Sequence, residues 1–506
     1  MKRKVNKATS KAIVLLLVSA TMLAGCSGGK EGNADQAGTA ASGSTAGGSK
    51  EPVKISTMQP YWGVLPKKGD PLFTEVEKIM NADIKPTFVQ GPNMMDKVNV
   101  ALASGTLPDI LVVFQGNQPS IIQAIRAGAF WEVGKYIDEY PNLKASRDKI
   151  RDTNISVDGK IWALYDPQTI DRSGINLRQD WLDTLGMKRP KTLDELYEVL
   201  KAFAKNDPDG NGKNDTYGIA SIGTGPVGFI AAKYGAPNGY KVENGKFIPG
   251  FTTEEYRQAM KYVQRLYNEG IMNKDFSYAK QNQTDEMLEK GVVGAYIGNA
   301  DRTDIWTKLF KNVPKAKVTT FSDLEGPNYR YASLGYWSTL MFPKSSIKTE
   351  ERLKEILAAL DRLAAPDHKD FRLYGIEGTD YKLENGKRTV VNNEASAELE
   401  ALNVFALTQP EISTEDKPDW QVEMANVVQA NGESSTLLGN PASGLISQTN
   451  NEKGNELNTL ISDATTKYII SELDDKGFDA VIQKWRTTGG DQMLKEYEEE
   501  YAKLHK

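Results

Sequence analysis

The sequence predicts an α/β protein of two lobes, each a mostly parallel sheet flanked by helices, with a hinge and a cleft between them. Three observations carry this. The chain has 506 residues, and a single hydrophobic core stops growing near roughly 250–300 residues. Short β-branched runs alternate with segments of helical period. Polar and aromatic side chains follow the ends of those runs in both halves, where open α/β sheets hold their ligands.

Residues 52–58 alternate β-branched with polar side chains, and Asp70-Pro71 opens a segment whose Leu72, Val76, Ile79 and Met80 recur at helical spacing. Residues 83–89 give a second strand, Asn93 caps a helix ending near Gly105, and the apolar run 109–113 suits a buried parallel strand. The unit is β-α-β-α-β with expected strand order 2-1-3, so right-handed crossovers place a crevice between the first and third strands. Gln59, Tyr61 and Trp62 leave the first strand; Phe114, Gln115 and Asn117 leave the third.

In the second half, Thr192 with Glu195 fits a capping box before Leu196, Val199, Leu200 and Phe203; residues 216–222 suit a strand; Thr252 with Glu255 caps a helix running to Gly270. Residues 292–297 form one more strand, whose exit loop carries Asn299, Asp301 and Arg302. Near the C-terminus, Phe478, Val481, Ile482 and Trp485 make an apolar stripe, Gly489-Gly490 interrupts it, and Met493, Leu494, Tyr497, Tyr501 and Leu504 make another. These aromatics read as core.

The N-terminus carries Lys2, Arg3, Lys4, Lys7 and Lys11 before an apolar stretch over 12–22 that is too short to span a bilayer. This is a secretory signal, expected over 1–25. It ends in Leu23-Ala24-Gly25-Cys26, which resembles the lipobox of bacterial lipoproteins, and Cys26 is the only cysteine in the chain. The resemblance implies lipidation of Cys26 and attachment to the extracellular face of the cell membrane without a spanning helix; the alternative is a buried cysteine that happens to follow an apolar run. Residues 27–50 lack Leu, Ile, Val, Met and aromatics altogether. Residues 26–50 are therefore a tether with a root-mean-square reach of about 25–30 Å.

The charge balance, 62 Lys+Arg against 67 Asp+Glu, gives no basis for binding nucleic acid. One cysteine excludes an intrachain disulfide, and two histidines leave almost no material for a zinc site or a histidine triad.

Four patches carry a family likeness: Asn176-Leu177-Arg178-Gln179-Asp180-Trp181-Leu182 with Leu185-Gly186; the Asp-rich run at 207–218; Tyr374-Gly375-Ile376-Glu377-Gly378 with Tyr381; and Trp485 with Gly489-Gly490 and Tyr497. With lipobox, tether and two lobes, the chain resembles the family 1 extracellular solute-binding proteins, the sugar-binding lipoproteins of bacterial ABC importers. The resemblance implies a periplasmic-binding-protein-like fold of type II, with a first lobe of 51–170 plus 335–378 and a second of 171–334 plus 379–506. It also implies a monomer that works with ABC transporter permease subunits.

Asp207, Asp209, Asn211 and Asp215 place oxygen side chains at positions 1, 3, 5 and 9 of a loop, with the Lys213 carbonyl at position 7. That is the spacing of a calcium loop, with Gly210 and Gly212 permitting the turn. Position 12 is Gly218 rather than the bidentate Glu of an EF-hand, and alginate-binding relatives place a Glu where this chain has Thr216. A structural Ca2+ is expected; the alternative is a metal-free acidic turn.

Residues 223–228 match G-x-G-x-x-G, but Pro226 inside the motif and the absence of an acidic ribose partner make it a strand-to-helix turn. A sugar offers an apolar ring face and polar edges, so its site needs flat aromatic surface ringed by amides and carboxylates. Trp62, Gln115, Asn117, Asn299, Asp301 and Trp337 supply those types. The expected function is capture of a carbohydrate, an oligosaccharide or its uronate relative, and its delivery to an importer, with no catalytic residue. The alternatives are a secreted hydrolase using two cleft carboxylates and a surface sensor or adhesion lipoprotein without a transporter.

Overall fold

A computed structural model describes residues 51–62, 64–114, 118–384, 386–405, 407–408, 417–434 and 436–504. The signal, Cys26 and the tether lie outside the described residues. Nine strands build the two main sheets: β1 (Val53–Tyr61), β2 (Ala82–Gln90), β3 (Ile110–Phe114), β4 (Ala163–Pro167), β5 (Ser173–Arg178), β6 (Tyr217–Ile219), β7 (Val293–Asn299), β8 (Val318–Phe321) and β9 (Tyr336–Met341). The helices used below are α1 (Pro71–Met80), α2 (Met94–Ser104), α3 (Lys149–Ile155), α4 (Leu193–Lys205), α5 (Gly225–Tyr234), α6 (Glu254–Asn268), α7 (Glu350–Leu363), α8 (Gln448–Ile469), α9 (Asp475–Trp485) and α10 (Asp491–Leu504).

The first sheet runs β2-β1-β3-β9-β4, with β1 parallel to both β2 and β3, as the order 2-1-3 requires. Ile110, Leu111, Val112 and Val113 are fully buried, because α/β packing covers both faces of a central strand. Each such side chain contributes roughly 1.5–3 kcal/mol of burial. The second sheet runs β8-β5-β7-β6. Here α4 lies so close that a Cβ on Gly294 would stand 2.1 Å from the Phe203 ring.

One strand in each sheet opposes the rest: β9 is antiparallel to β3 and β4, and β5 to β7 and β8. Both follow a crossing between sheets. The chain leaves the first sheet at Pro167 and enters the second at Ser173; it returns after Tyr331 and re-enters at Tyr336. A chain arriving at the C-terminal ends of parallel strands can only run back against them. Five residues, 168–172, span at most about 18 Å, so the C-terminal strand ends of both sheets border one gap. The crossings also pair with each other, Gln168 N donating to Gly335 O (2.7 Å) and Ser333 N to Ile170 O (2.8 Å).

Each sheet has its own core. The first gathers α1, α2 and α7; the second gathers α4 and α6 with Tyr468, Phe478 and Ile482 from α8 and α9. Trp485 and Tyr497 are buried in a satellite cluster with Phe247, and a Cβ on Gly490 would stand 2.2 Å from the Trp485 ring. Leu504, counted in the same stripe, is exposed.

Some expectations shift. Not all of 379–506 joins the second core: Leu399, Leu402, Val404 and Phe405 pack into the first, because they follow a hairpin (381–390) that stays beside the helix Lys369–Tyr374, where Arg388 pairs with Asp370 (2.8 Å). Thr253, not Thr252, caps α6, its hydroxyl accepting from Tyr256 N. The expected strand 216–222 is only β6, since the Asn273 side chain takes both the N–H and the carbonyl of Ser221 in place of a neighbouring strand.

Candidate functional site

On the first lobe the strand ends bring three aromatic rings together. Trp62 follows β1, Phe114 ends β3 and Trp337 opens β9. Ring centroids are 5.8 Å apart for Trp62 and Phe114, 5.9 Å for Phe114 and Trp337, and 6.3 Å for the two tryptophans. Trp62 is 44 % exposed and Trp337 52 %, whereas Trp181, Trp306 and Trp485 are buried. A Cβ on Gly91 would lie 2.4 Å from the Trp62 ring, so glycine there lets the indole lie flat on the backbone. Aromatic surface is thus left exposed at the strand ends of the first lobe. Gln59 has a different role: it is fully buried, accepts from the Thr57 hydroxyl (2.7 Å) and donates to Ala401 O (3.0 Å). Gln115 and Asn117 lie outside the described residues.

On the second lobe the strand ends enclose a cavity of about 380 Å³, lined by Ser173, Ser221, Lys233, Asn299, Arg330 and Tyr331 among others. Asn299 ends β7 directly opposite Ser173 of β5. Lys233 donates to Asn328 Oδ1 (2.6 Å) and stands 4.9 Å from the Phe229 ring centroid. Burial, with the neighbouring Arg330 guanidinium, pulls the Lys233 amine down to about 7. Asp301 is engaged by Arg172, whose Nε lies 3.0 and 2.9 Å from its two carboxylate oxygens. In this arrangement Asp301 ties the loop after β7 to the first crossing. Arg302 is held by Asp304 and Asp285.

The hinge has its own polar core. Arg151 of α3 is buried and donates to both crossings, Nε to Gly335 O and Nη2 to Gln168 O, each at 2.7 Å. Asn154 adds a bond to Leu334 O (3.0 Å). Asp166, near the end of β4, has among the described residues only weak 3.5 Å contacts from Gln168, and burial pushes its carboxyl up to about 7. Such a group is part protonated at neutral pH.

The acidic loop closes on itself. Asp207 adopts positive φ with Gly210 and Gly212; Asn211 Nδ2 donates to Asp209 Oδ2 (2.9 Å) and Asp215 Oδ1 (3.1 Å), and Gly212 N to Asp207 Oδ2 (2.9 Å). Burial, then the neighbouring Asp207 and Asp215, holds the Asp209 carboxyl above its usual range. Among the described residues no three His, Cys, Asp or Glu side chains stand as a ready metal cluster; the Asn211 amide nitrogen bridges two of the carboxylates. The departures at Gly218 and Thr216 have different local causes, one steric and one a hydrogen bond. A Cβ on Gly218 would lie 2.2 Å from Leu200 O, so a position-12 glutamate has no room. Thr216 is buried and donates to Phe203 O (2.8 Å), satisfying a carbonyl near the end of α4.

Reasoning from sequence alone missed Lys233, Arg330 and Arg151. A trace of Lys233 was present, since it is the single cation in the otherwise apolar α5. Arg330 and Arg151 lie in ordinary polar surroundings and carry no local mark.

Comparison with known proteins agrees with this geometry. The chain is 36% identical over 509 residues to the polygalacturonan/rhamnogalacturonan-binding protein YtcQ of Bacillus subtilis (98% of this chain, 99% of YtcQ). It is 34% identical to the Bacillus subtilis lipoprotein LipO (97% of this chain, 98% of LipO). Among solved structures, the Streptococcus pneumoniae ABC-transporter substrate binding protein FusA, as an EF-hand mutant in complex with fructo-nystose, superposes with a TM-score of 0.63 at 20% identity, covering 89% of this chain and 99% of that one. Residues 62–364 match one family, and with two sheets bordering one gap across a double crossing, the chain belongs to the bacterial extracellular solute-binding proteins.

Proposed function

We propose that the protein captures an oligosaccharide between its lobes, as a monomer, and delivers it unaltered to the permease subunits of an ABC importer. The observation that carries this is the pair of dissimilar walls: an exposed aromatic triad on one lobe and a polar cavity on the other, joined by short crossings. Rings stack on sugar faces while amides and charges hold hydroxyl edges. Closure follows because only the closed form contacts the ligand from both sides. A sugar-binding name on a relative 36% identical over nearly the whole chain supports the ligand class, and membership in a family of binding proteins sets the hydrolase aside. Titration calorimetry over a panel of plant-polysaccharide oligosaccharides tests it: one ligand per chain, recovered at its original length by chromatography, is the expected result, and shorter products would overturn it.

The acidic loop is assigned to calcium. Three carboxylates and an amide oxygen within nine residues match a hard dication, which would relieve the mutual repulsion of Asp207, Asp209 and Asp215; a half-turn of the Asn211 amide would present oxygen instead of nitrogen. Supporting this, the FusA structure is named for an EF-hand. Calcium added to chelator-stripped protein is expected to release heat and raise the melting temperature, both effects disappearing in Asp209→Ala; no heat would leave a bare turn.

Cys26 is assigned as the lipid attachment site. The lipoprotein relative supports this, and no helix among the described residues is long and apolar enough to cross a membrane. Cys26→Ala should move the protein from the membrane fraction to the medium or leave it unprocessed; unchanged membrane attachment would refute the anchor.

A further inference from the structure

The cavity of the second lobe carries a charge imbalance. Lys233 and Arg330 both line it and are only 4 % and 7 % exposed. Arg330 Nη1 donates to Asn431 Oδ1 (2.5 Å) and Nη2 to Ser322 O (3.3 Å), both neutral acceptors. The buried carboxylate nearest to it is Asp171, whose Oδ2 stays 3.9 Å from Arg330 Nη1. Asp323, the other carboxylate whose charge reaches these cations, is exposed and held by Arg189 at 3.1 Å. Arg330 and the Lys233 amine, the latter only part charged near neutral pH, thus face one buried carboxylate. Arg330 Nε is buried without a hydrogen-bond partner among the described residues. Such a group is costly unless a partner arrives.

The opposite end of the cavity is also electropositive. Gly225 and Pro226 open α5 there, and its N-cap Thr224 makes no side-chain cap. Pro226 carries no N–H and Val227 N donates to Thr224 O (3.0 Å), so what this end offers an anion is chiefly the positive end of the helix dipole. Added Cβ atoms on Gly225 and Gly228 would meet nothing within 4 Å, so the 223–228 turn is an open approach. Gly225 and Lys233 are eight residues, about 12 Å, apart along the helix, with Phe229 between them on the same cavity wall.

We infer that this cavity is a carboxylate subsite, where Lys233 and Arg330 receive the carboxylate of a uronate residue while the sugar ring lies along α5. The inference rests on the capture reading above. A neutral sugar brings no charge to this pair; a uronate brings the anion that holds the Lys233 amine charged beside Arg330, and acceptor oxygens for Arg330 Nε and for the one Lys233 N–H left over by Asn328 Oδ1 (2.6 Å) and Tyr329 O (3.4 Å). A hydrogen bond to a charged group is worth roughly 1.5–3 kcal/mol.

The test compares trigalacturonate with its fully methyl-esterified form by calorimetry on the purified protein. The wild type should bind the acid at least tenfold tighter than the ester. Lys233→Met should lose that preference, its affinity for the acid falling more than its affinity for the ester, and Lys233→Arg should keep most of it, with unchanged melting temperatures showing that both variants fold. Equal affinity of the wild type for acid and ester, or an undiminished preference in Lys233→Met, overturns the subsite while leaving oligosaccharide capture intact. Binding of neutral oligosaccharides with no response to trigalacturonate does the same. Failure of every glycan to bind overturns capture and subsite together.

Discussion

Trp62→Ala is expected to weaken oligosaccharide binding by about 30-fold or more, because truncating a central aromatic anchor costs about 2 kcal/mol or more. Stability should barely change. The indole is 44 % exposed and lies on the surface of Gly91, so its removal opens no cavity in the first core. Trp337→Ala should have a similar effect. The double variant should cost less than the sum of the two, since the rings are neighbours, 6.3 Å between centroids, and share one ligand face. Calorimetry with the best ligand of the panel measures all three variants. Wild-type affinity in Trp62→Ala would show that the triad is not the sugar platform.

Arg151→Leu is expected to lower stability by about 3–5 kcal/mol, the largest single-residue effect anticipated. Two charge-assisted bonds are lost, each worth roughly 1.5–3 kcal/mol. Gly335 O keeps its bond from Gln168 N, whereas Gln168 O loses the bond from Arg151 Nη2. Lysine should rescue little, because a single ammonium does not reproduce the fork that reaches both crossings. Gly335 is built into the same contact: its φ is +76°, and a Cβ would lie 2.9 Å from Arg151 Cγ. Denaturant unfolding measures this as a fall in midpoint at constant slope. An unchanged midpoint would mean that the crossings hold together without Arg151.

What sequence made legible follows from periodicity. Strands β1, β2 and β3 come from alternation and capping, and because ligands of open α/β sheets gather at strand ends, Trp62 could be named as a candidate, whereas Trp337 is named only through the lobe crossing that the family likeness implies. Geometry between distant segments was not legible. Asp301 reads as a free carboxylate until Arg172 is seen beside it. Leu399 to Phe405 read as second-lobe material until they are found under the first sheet. Lys233 is one residue in an apolar helix, and nothing local shows that Arg330, 97 positions on, shares its cavity. The acidic loop was legible in its donor spacing, while the reasons for Gly218 and Thr216 lie in the backbone of α4.

In the proposed cycle a hinged pair of lobes shuts on an intact sugar. Small-angle X-ray scattering of the protein with and without a saturating oligosaccharide tests it most directly. A smaller radius of gyration is expected with ligand present, reversed when the ligand is dialysed away and recovered uncut. An identical scattering curve at full occupancy would contradict it.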